Sequence, residues 1–161
     1  VYDQAGNSDL CETYMLVQDN MDICGNGPAL LSASGIIATE EDCALLLNEV
    51  LPYQQALQSI YERFKPDAVV MTRRGDGSAA YDGHTHYMEP TYKVDVVHRI
   101  GAGDAFDAGL LYGMIKADLR TGLRYGNAMA IIKMTIPNNL PVIDKEDVEH
   151  LLSGQHDMLV R

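Results

Sequence analysis

Gly101-Ala102-Gly103-Asp104 limits what this chain can fold into more than any other stretch. Three small residues in succession let the backbone turn sharply and bring its N–H groups close to a ligand, with no bulky Cβ in the way. Apolar spacing then predicts a long helix from about Asp104 to Lys116, so the turn opens a helix N-terminus. Four amides there lack intrahelical partners and the helix dipole is positive, which suits an anion such as a phosphate. Asp104 at the helix start is favoured as a carboxylate and can accept a proton from a hydroxyl. Phosphoryl transfer to an alcohol needs both features: stabilised charge on the moving group and a base for the nucleophile. An ordinary helix N-terminus with a first-turn acid would carry the same four residues, so the surrounding sequence decides.

Before the turn, the chain reads as alternating helices and strands. Thr39-Glu40-Glu41-Asp42 forms a capping box opening a helix through Ala44, Leu45, Leu46 and Leu47. Pro52 suits the first turn of a second helix, with Ala56, Leu57, Ile60, Tyr61 and Phe64 at helical spacing and Lys65-Pro66 as its stop. Ala68–Thr72 is a short buried strand. Ala79–Tyr81 and His84–Met88 flank Asp82-Gly83, a two-residue hairpin signal, and Tyr92–Val97 is a further strand. Beyond Lys116, Asp118 caps a helix with Leu119, Leu123, Ala128 and Ile131. Asp144 caps a last one holding Val148, Leu151 and Leu152. Gly109 and Gly113 predict close packing of their helix against the sheet. The order of elements is that of an α/β fold. Residues 1–38 show no sustained period beyond a turn signal at Gly25-Asn26-Gly27-Pro28 and form an atypical N-terminal segment ahead of residues 39–161.

The 161 residues suffice for one domain with a sizeable core, and the 47% hydrophobic content argues for a globular chain. A net charge of −11, with no basic patch, argues against a nucleic-acid partner. Cys11, Cys24 and Cys43 form no C-x-x-C pair, so buried thiols in a reducing, cytoplasmic setting are expected rather than disulfides or zinc. No apolar run is long enough for a membrane span. His84 and His86 share a strand face, but no third ligand follows, so an exposed hairpin arm is expected rather than a metal site.

Residues 94–114, VDVVHRIGAGDAFDAGLLYGM, are similar to the C-terminal signature of the ribokinase/PfkB carbohydrate kinases. Residues 122–152, GLRYGNAMAIIKMTIPNNLPVIDKEDVEHLL, further resemble the 2-dehydro-3-deoxygluconate kinases of that family. The resemblance spans roughly residues 39–153 and implies the C-terminal part of a ribokinase-like three-layer α/β/α sandwich. It implies ATP-dependent phosphorylation of a sugar-acid hydroxyl, with Mg²⁺, ATP and the sugar acid as partners. Asp104 would be the base, and Gly101, Ala102 and Gly103 the anion hole.

The stretch 72–78 matches the family's T-x-G-x-x-G-[SA] nucleotide loop in length. Thr72, Gly75, Gly77 and Ser78 would meet the nucleotide, while Arg74 stands where the first glycine is usual. An arginine there can reach a phosphate, but a tight turn at that position would be strained. Asn127 and Ala128 fall on the helix that lines the family's adenine pocket, and simple helix packing accounts for them equally. His98 takes the place of an acid that helps hold a monovalent cation, and imidazole is a poor ligand for a hard alkali ion, which argues against cation activation. The family's N-x-x-E motif appears as Thr39 to Asp42, leaving Asp42 as a weak metal ligand that the capping box explains without catalysis. The N-terminal half that supplies the family's sugar pocket has no counterpart in residues 1–38. A catalytically silent chain that binds nucleotide or a partner subunit is therefore the rival expectation, and assembly into a homo-oligomer stays open.

Overall fold

In the computed structural model, which describes residues 35–137 and 142–154, the first element is a strand that no sequence pattern announced. β1 (Gly35–Thr39) lies parallel to β2 (Ala68–Thr72), from Gly35 opposite Ala68 to Thr39 opposite Thr72. Parallel strands need a crossover, and two helices supply it: α1 (Glu40–Leu47) and α2 (Tyr53–Phe64). The Gly25–Pro28 turn, Cys11 and Cys24 lie outside the described residues.

The capping box forms as expected. Thr39 Oγ1 accepts from Asp42 N at 3.1 Å, and Asp42 Oδ2 accepts from Thr39 N at 3.1 Å. Pro52 sits one residue earlier than expected, as the N-cap of α2, and its carbonyl accepts from Ala56 N at 3.0 Å. Lys65 ends the helix in the left-handed conformation at φ 52°.

Four strands order as β1-β2-β3-β4, with β3 at Ser78–Tyr81 and β4 at His86–Glu89. The expected two-residue hairpin at Asp82-Gly83 is instead a four-residue connection. Asp82 Oδ1 accepts from His84 N at 2.9 Å and Thr85 N at 2.7 Å, which draws both residues out of the ladder.

The described residues divide into two compact units, 35–72 with 79–86, and 73–78 with 87–137 and 142–154. In the first, Leu57 and Ile60 of α2 share a core with Val69 and Met71 of β2 and with Cys43. Burial, then the charges of Asp42 and Glu40, push the Cys43 thiol up to about 12, leaving it inert as a nucleophile.

The second unit rests on three helices, α3 (Ala102–Lys116), α4 (Leu119–Thr135) and α5 (Lys145–Leu152). α3 begins two residues earlier than its apolar spacing indicated. Asp118 caps α4 by accepting from Thr121 N at 2.7 Å, whereas Asp144 stands at the α5 N-cap with no side-chain hydrogen bond. Tyr92–Val97 is not a strand. Its flanks bond to α4 instead: Asn127 Nδ2 donates to the carbonyls of Glu89 (3.0 Å) and Pro90 (3.3 Å), and Val97 N and His98 N donate to the Met134 carbonyl at 2.8 and 3.1 Å. Tyr92 and Val94 pack on the core formed by Tyr125, Ala128, Ile131, Ile132, Val148 and Leu151.

Gly109 and Gly113 do pack closely, but against α4 rather than a sheet. A Cβ on Gly109 would lie 2.5 Å from the Tyr125 carbonyl oxygen, and one on Gly113 2.7 Å from Gly122 Cα. Facing them, a Cβ on Gly126 would meet the Phe106 ring at 2.9 Å. Gly113→Ala is therefore expected to destabilise the fold by about 2 kcal/mol, because backbone must move to admit the methyl group. Gly103→Ala in the same helix meets nothing within 4 Å and should leave stability unchanged or higher. Urea unfolding of the two variants measures the difference.

Candidate functional site

The turn into α3 is built around Gly101, the N-cap residue, at φ 85° and ψ 2°. That left-handed conformation is open to glycine at little cost and closes the chain onto the helix. Ala102 N donates to the Arg99 carbonyl at 3.1 Å, and the Gly101 carbonyl accepts from Ala105 N at 3.0 Å. The Ala102 amide is thereby engaged within the turn, a difference from the expected set of three anion-hole amides. Gly103 and Asp104 are exposed, and their amides take no backbone carbonyl among the described residues. Two donors at the positive end of a fifteen-residue helix thus face open space, with the Asp104 carboxylate beside them on the first turn.

Asp107, which the sequence reading passed over, lies one turn further along the same helix face. Burial, and secondarily the charge of Asp104, raise its carboxyl to about 6. The i, i+3 spacing of the two acids is the signal that would have found it.

In the loop before β3, Arg73 N donates to the Gly77 carbonyl at 2.8 Å around a single 3-10 turn, Arg74–Asp76. Arg74 adopts φ 49°, so the arginine sits in the left-handed geometry that the glycine it replaces would take freely. Gly77, at φ 89° and ψ −131°, leans on the Glu89 carbonyl and on Pro90 so closely that no Cβ fits. Asn127 holds those same two carbonyls from α4. Its buried amide thereby positions the floor of the loop, and Ala128, fully buried, belongs to the core. Packing and these two hydrogen bonds account for both residues within the fold. Gly75 has open space where a Cβ would stand, and the buried Ser78 Oγ has no hydrogen-bond partner among the described residues. Thr72 ends β2 in the first unit, opposite Thr39.

Two cation expectations meet the geometry differently. Asp42 Oδ2 accepts from both the amide and the hydroxyl of Thr39, and no group of three or more potential ligands gathers among the described residues. Asp42 thus serves its cap, as the capping-box reading expected. At His98, the carbonyl accepts from the buried ammonium of Lys133 at 3.3 Å, while the buried Nδ1 has no partner among the described residues. That carbonyl is already taken by a cation of the chain's own, so these residues do not fit a free alkali ion.

Residues 24–139 match the pfkB family carbohydrate kinase. A 2-dehydro-3-deoxygalactonokinase from Haloferax volcanii is 33% identical over 120 residues, covering 74% of this chain and 38% of that protein. Among solved structures, the 2-dehydro-3-deoxygluconokinase of Thermotoga maritima superposes with a TM-score of 0.68 at 24% identity, over 74% of this chain and 41% of its own. A double-mutant fructokinase from Vibrio cholerae O395, in a fructose-, ADP- and potassium-bound form, gives 0.63 at 21% identity, over 71% of this chain and 39% of its own. The fold is ribokinase-like α/β. The chain spans about two fifths of the length of the relatives it matches.

Asp107 makes stability depend on pH with a defined sign. A carboxyl raised from 3.8 to about 6 holds its proton longer in the folded state than in the unfolded one. Its favourable contribution is fully present below about pH 3.8 and is lost as pH rises through about 6. Thermal unfolding of the wild type and Asp107→Asn should therefore agree at pH 3.5 to within about 1 °C. The variant should become the more stable of the two above pH 6.

Proposed function

We propose that this chain, which belongs to the pfkB family of carbohydrate kinases, carries the phosphoryl-transfer side of an ATP-dependent sugar-acid kinase. The observation that carries the reading is the α3 N-terminus, where the unengaged amides of Gly103 and Asp104 stand beside the Asp104 carboxylate. In the reaction, Asp104 takes the proton from the sugar hydroxyl as its oxygen attacks the γ-phosphorus of ATP. The bond to the β–γ bridging oxygen breaks, and ADP leaves. Gly101 supplies the turn, and the amides of Gly103 and Asp104 hold the phosphoryl oxygens, as in-line transfer requires. Arg74, Gly75, Gly77 and Ser78 form the loop that faces the nucleotide. Mg²⁺ travels with the ATP phosphates and neutralises their charge.

Sugar-acid names among the relatives support a 2-dehydro-3-deoxy sugar acid as substrate. ATP dependence and the free, buried Cys43 suit a cytoplasmic enzyme. The short coverage of the relatives also favours one second reading, a chain that binds nucleotide without turning over.

Steady-state assay on a panel of sugar acids tests the assignment. Asp104→Asn should lower kcat by about 10²–10⁴-fold with the KM for ATP little changed. Unchanged turnover removes Asp104 from the chemistry. Retained ATP binding with no turnover in the wild type supports the second reading. Gly103→Ala should fold as well as the wild type while weakening ATP binding about tenfold or more, because its methyl group enters the phosphate space.

A further inference from the structure

Lys133 occupies a position where a lysine is costly. It lies in the last turn of α4, next to Ile131 and Ile132, and its side chain is fully buried, at 0% exposure. A buried ammonium is tolerated only when other groups replace its lost hydration. Among the described residues no carboxylate does so. Two main-chain carbonyls do, those of His98 at 3.3 Å and Ile136 at 3.5 Å. A positive point charge held by backbone carbonyl oxygens is the coordination that a desolvated alkali ion takes.

The two carbonyls are not arbitrary ones. His98 lies three residues before Gly101, and its own amide, together with that of Val97, donates to the Met134 carbonyl at 3.1 and 2.8 Å. The end of α4 therefore grips the approach to the anion turn from both sides, once through neutral amides and once through a full charge. An ammonium on a covalent stem needs no anionic side chain to draw it in. Position 98 can then carry an imidazole whose Nδ1 takes no part in the contact.

We propose that Lys133 is a tethered cation that fixes the main chain leading into Gly101–Asp104, and that it stands where a free monovalent ion would otherwise bind. Lys133 is a positioning residue acting through the His98 carbonyl. Its consequence for turnover rests on the kinase reading above, whereas its consequence for ion dependence does not.

The test compares unfolding midpoints in potassium chloride and in tetramethylammonium chloride, whose cation is too large to enter, at equal ionic strength. Wild-type midpoints should agree to within about 1 °C. Lys133→Ala, which uncovers the carbonyls and leaves room for an ion, should unfold about 5 °C lower and recover saturably with potassium alone. Lys133→Met, which fills the volume without charge, should be destabilised and indifferent to potassium. If neither variant folds, the wild-type comparison still decides. A wild-type midpoint that climbs saturably with potassium overturns the proposal, as does a Lys133→Ala protein that is as stable as the wild type or recovers equally in both salts. In the enzyme assay, wild-type turnover should be flat in potassium, while Lys133→Ala loses about tenfold in kcat and regains it with potassium. Absence of any wild-type turnover would count against the kinase reading and leave the unfolding comparison intact.

Discussion

The second unit depends on two helix backbones lying in direct contact. Gly109 and Gly113 of α3 face Gly122 and Gly126 of α4, and at each of these positions a Cβ would run into the opposite helix. Only Ala117 and Asp118 separate the two helices, so they form a tight antiparallel hairpin. The first turn of α3 then lies at the same end of the hairpin as the last turn of α4. The consequence is chemical as well as structural. The free amides at Gly103 and Asp104 come from one helix start, and the ammonium that braces their approach comes from the other helix's end. Further along the hairpin, Lys116 donates to the Tyr125 hydroxyl at 2.5 Å and to Glu149 at 3.2 Å, linking α3, α4 and α5.

Elements governed by local chemistry could be read from the sequence. The Thr39–Asp42 capping box, the Asp118 cap and the buried run Ala68–Thr72 carry their cause within a few residues, and the structure contains all three. Elements that depend on distant partners could not. β1 is five residues long with no alternation, and its strand character comes from pairing with β2. Tyr92–Val97 has the composition of a strand, but Pro90 offers no donor, and Asn127 and Met134 take the flanking backbone groups that a ladder would have used. Gly109 and Gly113 announced a close approach without naming the partner. Only the matching glycines on α4 identify it.

The site divides along the same line. The turn at Gly101 and the helix that starts after it were legible, because small residues followed by an apolar run announce both locally. The strain at Arg74 was legible too, and its φ of 49° is the left-handed geometry that the displaced glycine would have supplied. Asn127 was harder to read, since an amide on a buried helix face serves a ligand or a backbone equally well. Here it holds the Glu89 and Pro90 carbonyls against which Gly77 rests, so it shapes the loop before β3 from behind. Lys133 gave no signal at all. Its meaning comes from its burial and from two carbonyls, and neither can be read from its neighbours in sequence.

Phosphoryl transfer by this chain requires the start of α3 to receive the phosphate. Titrating the ¹⁵N-labelled protein with Mg·ATP and following the backbone amide resonances tests this most directly. The largest shifts should fall on Gly103 and Asp104, with Gly75 and Gly77 moving in step and Asp42 still. Saturable shifts confined to other parts of the chain, with Gly103 and Asp104 unmoved, would contradict it.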